Sequence, residues 1–214
     1  MARKTKLSKR QLEIQLGKLK ILEKPNLKLE QYPVSSEVAS ELLYMADFEH
    51  DDLGGRVIDL GTGTGRLAIG AALMGAKETV GLDVDEQALA LARENAETAE
   101  VEVGWVQSDI EKIKGKFDSV IMNPPYGTRT SHADTRFLAK AFQLAPIIYS
   151  IHKSATRKYL VEFVTKSGRQ VDHVRSMTME IPHLFEFHEK KRTMVEVDLY
   201  RITRKPSDRK LASK

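Results

Sequence analysis

The chain has no cysteine among its 214 residues. Disulfides, thiolate metal sites and any mechanism that runs through a cysteine nucleophile are thereby excluded. No run approaches the roughly 20 apolar residues of a membrane span, and the opening Met-Ala-Arg-Lys lacks the apolar core of a signal peptide. A cytoplasmic protein with no membrane association is expected. The single tryptophan, Trp105, falls on a stretch that reads as strand and suits packing rather than chemistry. The length fits one α/β domain with a full core and is short for two.

What is present is unevenly distributed. The formal net charge of +4 conceals two basic ends on an acidic body. Residues 1–30 carry nine Lys/Arg against three acids, residues 201–214 carry six against one, and the middle carries nineteen against twenty-six. Such ends suit a phosphate-rich partner, because each neutralised phosphate releases counterions. Lys-rich ends also keep proteins in solution, so charge alone does not name the partner.

Ser8 is placed to cap a helix carrying Leu12, Leu16 and Leu19, and Ser35 or Ser36 to cap a second with Val38, Leu42, Leu43 and Met45. After Gly54-Gly55 the pattern alternates. Strands are expected at 57–60, 79–82, 101–106, 117–122 and 147–151, and helices at 67–74, 86–99, 135–144 and 154–166. Two long β-rich stretches follow, 170–181 and 193–202, with no helix between them for a parallel crossover. The expectation is an α/β protein with a doubly wound, mostly parallel, seven-stranded sheet ending in an antiparallel hairpin. Residues 1–54 read as a helical extension closing over the site, 55–204 as the main domain and 205–214 as a basic tail.

Chemistry-bearing residues gather where strands end. Asp59-Leu60-Gly61-Thr62-Gly63-Thr64-Gly65 joins the first strand to the first helix of the alternating region, where glycines let a backbone pass close under a nucleoside. A dinucleotide fingerprint wants Gly or Ala three residues after its second glycine, and Arg66 stands there instead. Asp83 ends the second strand, where a carboxylate can accept both hydroxyls of a ribose; NAD stays open on this residue alone. Asp85 is a candidate helix cap. Asp109 follows the third strand, either as acceptor for an adenine amine with Ile110 against the ring or as a turn residue.

Asn123-Pro124-Pro125-Tyr126 follows the fourth strand, where neither strand nor helix needs two prolines. A rigid, extended backbone there lets the Asn123 side-chain oxygen and the Pro124 carbonyl accept from one NH2 group, while Tyr126 stacks on the planar group that bears it. Two acceptors turn the nitrogen lone pair towards an electrophile, which is catalysis by orientation. His183 and His188 lack nearby paired acids, and no metal site is expected.

The glycines at 61, 63 and 65 resemble the first motif of S-adenosylmethionine-dependent methyltransferases, with Asp59 facing the methionine end. With Asn-Pro-Pro-Tyr, the chain resembles class I methyltransferases of that motif. Within them, Glu30-Gln31-Tyr32-Pro33, residues 123–128, His152-Lys153-Ser154-Ala155-Thr156-Arg157, residues 187–191 and residues 195–199 resemble the methyltransferase-like family acting on N6 of a small-subunit ribosomal RNA adenosine. The resemblance implies S-adenosylmethionine as cofactor, with contacts at Gln31, Gly61, Thr64, Asp83, Asp109, Ile110 and Asn123. It also implies RNA phosphate at His152, Lys153 and Arg157, and a small zinc-binding activator subunit as partner. Val34 stands where eukaryotic members carry Thr, and Tyr126 where they carry Phe, which keeps the stacking face. Glutamine methyltransferases of release factors or ribosomal proteins share the motif but carry a longer helical domain before the first strand. DNA adenine methylation would want a separate target-recognition domain. A nonenzymatic RNA-binding protein on the same scaffold would not need glycines, acids and Asn-Pro-Pro-Tyr together. Cytosine C5 methylation is excluded for want of a cysteine.

Overall fold

The computed structural model describes residues 6–26, 29–126, 133–182 and 192–205. Helix α1 (Lys9–Gly17) opens on a capping box in which Ser8 and Gln11 satisfy each other's backbone N–H groups. It ends before Leu19, which stays buried in the chain that follows. In α2 (Ser36–Tyr44) the cap is Ser35, whose hydroxyl accepts from Val38 N at 3.2 Å, and the helix continues as a π-helical turn, Met45–Glu49.

Seven strands follow in the order β3-β2-β1-β4-β5-β7-β6: β1 (Arg56–Leu60), β2 (Glu78–Asp83), β3 (Gly104–Gln107), β4 (Ser119–Met122), β5 (Ile147–Lys153), β6 (Arg169–Pro182) and β7 (Arg192–Arg204). The first five are parallel; β7 runs antiparallel to both β5 and β6, with an irregularity between Val171 and His173. The crossovers carry α3 (Arg66–Leu73), α4 (Glu86–Thr98), α5 (Ala133–Leu144) and α6 (Arg157–Lys166). The doubly wound sheet with its antiparallel hairpin is as the alternation implies.

Most boundaries shift by a residue or two from the sequence expectation, and three of the shifts have a visible local cause. Strand β3 starts at Gly104 rather than Val101, because Val101 N closes the end of α4 by donating to Ala96 O. Strand β4 starts at Ser119, since Phe117 N is taken by Leu144 O. Residues 154–156 form a separate 3-10 turn ahead of α6.

Apolar side chains fill both faces of the sheet. On one face Leu12, Leu16, Leu42 and Leu43 of α1 and α2 share a core with Ile69 of α3 and with Tyr149, Ile151 and Leu199 of the sheet. On the other, Leu138, Ala141, Leu160 and Val164 of α5 and α6 cover Ile58, Val120, Ile148 and Tyr200. The amino-terminal helices are therefore part of the main core. Polar ties reinforce them: Arg175 of β6 binds Glu41 and Glu49, Lys9 binds Glu41, and Arg201 of β7 and the Tyr149 hydroxyl meet on Asp52. Among the described residues no helix is long and apolar enough to cross a membrane. The motif residues end up together because the parallel register puts Leu60 beside Leu82 and Met122 beside Ser150, so the carboxyl ends of β1, β2, β4 and β5 open on one crevice.

Candidate active site

A cavity of about 320 Å³ lies in that crevice, within the range of a small-molecule site. Gln31, Asp59, Gly61, Thr64, Asp83, Asp109, Ile110 and Asn123 all line it. Asp59 is next to last in β1 and is 1% exposed. Its Oδ2 accepts from the Thr62 hydroxyl at 2.6 Å and from Ala68 N at 3.1 Å, while Oδ1 has no partner. Burial, opposed by those two hydrogen bonds, pushes its carboxyl up to about 7. The turn after it is held by Gly61 N and Thr62 N, both donating to Leu82 O at 2.9 Å. Gly61 has φ +70°, and a Cβ there would lie 3.0 Å from the Phe137 ring, so turn and neighbour both require glycine. At Gly65 (φ +87°) and Gly81 a Cβ would meet Trp105, which confirms a packing role for that ring.

Asp83 is the last residue of β2. Its oxygens accept from Gly63 N at 2.7 Å and Asp85 N at 3.0 Å, and burial raises its pKa. Asp85 caps α4 through Gln87 N and also accepts from Gln31 Nε2 at 2.7 Å. Asp109 is more open. It takes Glu111 N and the Arg136 guanidinium, both holding its pKa below the usual carboxylate value, the backbone bond most strongly. It is thus a turn residue and a pocket-lining one at once, with Ile110 buried beside it.

Asn123 leaves β4 at the rim of the cavity. Its amide nitrogen donates to Tyr32 O, and its oxygen accepts from the Tyr126 hydroxyl, each at 3.3 Å. Pro125 lines the cavity; its chain neighbours Pro124 and Tyr126, expected at the site, are not among the lining residues. Lys153, at the end of β5, sets its ammonium 5.1 Å from the centre of the Tyr126 ring, a cation–π distance. The two ends of the expected phosphate site differ. Arg157 makes a bidentate pair with buried Asp198, at 2.7 Å for each bond, and also donates to Ser176. His152 is 1% exposed, with Nε2 2.6 Å from the Ser150 hydroxyl, and burial drives its pKa down to about 3. Expected to touch phosphate, it is a neutral packing residue instead. His183 and His188 lie outside the described residues, as do residues 187–191 and 127–128; among the described residues no cluster could hold a metal ion.

Sequence reasoning placed residues 1–54 over the site, with Gln31 as a contact, but missed the non-helical strap within them and what fastens it. Leu22, Pro25, Leu29, Glu30, Tyr32, Pro33 and Val34 line it from the amino-terminal side. Arg66 fastens the strap, donating to Val34 O and, at 3.4 Å, to Leu19 O. Asn95 of α4 does the same at Lys20 and also donates to Thr64 O in the glycine turn. The sequence offered one signal for this, a charged residue at 66 where a small one packs more readily.

The raised pKa of Asp59 makes a prediction whose sign is fixed. Between pH about 4 and 7 the folded protein holds this proton and the unfolded chain releases it, so the group's contribution to stability falls as pH rises through that window. Asp59→Asn removes the titration. Relative to the parent, the ligand-free variant should gain stability from pH 4 to 8 by on the order of 3 kcal/mol. Thermal melts that track in parallel across the range would refute it.

The methyltransferase small domain model matches residues 35–145, from just before α2 to the end of α5. An uncharacterised protein of Methanocaldococcus jannaschii is 36% identical over 208 residues, covering 92% of this chain and 94% of its own. The rRNA N(6)-adenosine-methyltransferase of Danio rerio is 36% identical over 202 residues, 91% of this chain and 98% of that one. Among solved structures, a candidate RNA methyltransferase of Pyrococcus horikoshii superposes with a TM-score of 0.86 at 39% identity, over 94% of this chain and 99% of that one. Half the chain or more in the family model, and relatives matched along nearly their whole length, carry one conclusion: this chain belongs to the methyltransferase small domain family, in its class I fold.

Proposed function

We propose that this methyltransferase uses S-adenosylmethionine to methylate N6 of an adenosine in RNA, with small-subunit ribosomal RNA as the substrate. The observation that carries the reading is Asn-Pro-Pro-Tyr at the end of β4, opening onto an acid-rich cavity beside Tyr32 and Lys153. The name of the Danio rerio relative, matched end to end, supports the base and the RNA class.

The cavity residues fit the cofactor. Glu30, Asp59, Asp83 and Asp109 line it against Arg66 and Arg136, and Arg136 is already paired with Asp109. An acidic wall favours a sulfonium and an ammonium and repels the pyrophosphate of NAD. The unpartnered Asp59 Oδ1 suits the ammonium, Asp83 the ribose, and Asp109 with Ile110 the adenine. When bound, the cofactor supplies an electrophilic methyl on a sulfonium.

The chain's own residues then orient the amine. The bond to Tyr32 O fixes the Asn123 amide so that its oxygen faces away from the strap. In the free protein that oxygen accepts from the Tyr126 hydroxyl; the target NH2 takes this place, with the Pro124 carbonyl as second acceptor. Tyr126 stacks on the base, for which the Lys153 ammonium must move off the ring towards a flanking phosphate. Arg157, half exposed while it holds Asp198, contributes positive potential there. After attack the nitrogen sheds its proton to water, and no strong base is required.

Labelled cofactor incubated with separate RNA, DNA and protein fractions should place label in N6-methyladenosine of RNA. Label in methylglutamine or in DNA would reject the substrate. Asn123→Ala should abolish that turnover while cofactor affinity stays within roughly tenfold, since it removes an acceptor for the amine and only one edge of the pocket. Undiminished activity would refute the mechanism.

The basic ends are proposed as the long-range attraction for RNA, because the body between them is net acidic. Residues 1–5 and 206–214 lie outside the described residues. Deleting residues 1–7 and 205–214 should weaken RNA binding and flatten its salt dependence with little change in turnover at saturation. Unchanged affinity and slope would assign the binding to the body.

The activator subunit is proposed to add a strand to β3, which pairs only with β2 and stands at the sheet's edge. Amide exchange at 104–107 should slow when an activator of that zinc-binding class is added. Exchange unaffected at β3 in a formed complex would place the partner elsewhere.

A further inference from the structure

Two buried side-chain atoms in the cavity wall have no hydrogen-bond partner, and they carry opposite charge: Asp59 Oδ1 and Arg66 Nε. They bracket the glycine turn, one next to last in β1 and the other opening α3. Of the five N–H donors of the Arg66 guanidinium, two reach strap carbonyls, at Val34 and Leu19. No acid among the described residues balances it, and burial alone pulls its pKa down. Arg169, whose pKa burial also lowers, is likewise held by carbonyls, those of Phe142, Ala145 and Pro146, but it does not line the cavity. The arginines whose pKa is raised owe it to carboxylates. A partly buried guanidinium held only by carbonyls is costly until an anion arrives, and one unpaired carboxylate oxygen in the same wall is costly until a cation does.

An α-amino acid zwitterion answers both at once. We propose that Arg66 is the carboxylate anchor of the site and forms, with Asp59, a clamp for the amino-acid end of the cofactor. This rests on the cofactor reading above and goes beyond it, since that reading requires only an acid at the methionine end. The free donors of Arg66 take the carboxylate, Asp59 Oδ1 takes the ammonium, and the acidic wall beyond is left to the sulfonium and the ribose. The same guanidinium holds the strap, so an anion docked on it also tightens residues 19–26 and 29–34 over the cavity. Cofactor binding and closure of the amino-terminal segment are thereby one event.

Ligands that differ in the tail separate this from a purely structural clip, the decisive pair being the two sulfonium ions, since 5′-methylthioadenosine is a neutral thioether. S-adenosylmethionine carries both charges, decarboxylated S-adenosylmethionine keeps only the ammonium, and 5′-methylthioadenosine has neither. By calorimetry on the full chain, Arg66→Gln should weaken S-adenosylmethionine about 10- to 100-fold more than it weakens the decarboxylated ligand, the loss of one charge-assisted contact beyond any loosening of the strap that both ligands share. Arg66→Lys should recover part of the loss, because charge survives without the planar fork. Asp59→Asn should weaken both charged ligands and spare 5′-methylthioadenosine. In the parent, S-adenosylmethionine should slow amide exchange along the strap more than its decarboxylated form does. Equal weakening of the two by Arg66→Gln, an unchanged affinity in that variant, or equal strap protection would overturn the clamp. A parent protein that binds none of the three would instead reject the cofactor itself.

Discussion

A loop that crosses a buried crevice must find partners for its own backbone, and that requirement organises this molecule. The strap between α1 and α2 gives up Leu19 O and Val34 O to Arg66, Lys20 N and O to Asn95, and Tyr32 O to Asn123. Each partner has a second role. Asn95 holds the Thr64 carbonyl of the glycine turn, Asn123 opens the Asn-Pro-Pro-Tyr segment, and Arg66 begins α3. The strap and the site therefore keep their shapes together. Glu30 carries a left-handed φ of +51° in this segment, the kind of local strain that persists where the surroundings over-determine the backbone.

Electrostatics follows from the same architecture. Parallel strands deliver their ends to one edge, and here those ends carry acids: Asp59, next to last in β1, and Asp83, last in β2, each with its pKa raised first by burial and then by a neighbouring carboxylate. Such a cradle is unfavourable when empty and favourable around positive charge. The opposite sign is concentrated in the two ends of the sequence. In the proposed reading the two tasks stay apart: a cationic cofactor tail inside, and polyanion attraction at the termini.

The outer rim shows how one side chain serves two states. Tyr126 gives its hydroxyl to Asn123 and its ring face to Lys153, so both groups assigned to the target amine and base are engaged within the protein. Substrate must exchange these contacts rather than fill a void, which keeps the motif ordered before it binds. His152 and Asp198 stabilise the platform from below. The histidine is buried and neutral against Ser150 and the Tyr200 ring, and the aspartate gathers Arg157, Ser154, Ser176 and Tyr200.

Local chemistry made much of this legible. Capping at Ser8, Ser35 and Asp85, the strand–helix alternation, the glycine turn and the double proline depend on neighbours in the chain, and so the sequence by itself determined the sheet, its antiparallel end and the positions of Asp59, Asp83 and Asn123. It could not resolve partners distant in the chain. His152 and Lys153 are adjacent in sequence, yet β5 alternates its faces and buries one while the other reaches Tyr126. Arg157 reads as a free cation until β7 brings Asp198 beneath it. Arg66 reads as a departure from a dinucleotide pattern until the strap folds over it, because a carbonyl offers no sequence signal and any residue can supply one. Tertiary structure alone decided which charges were already paired and which were left with an unpartnered atom.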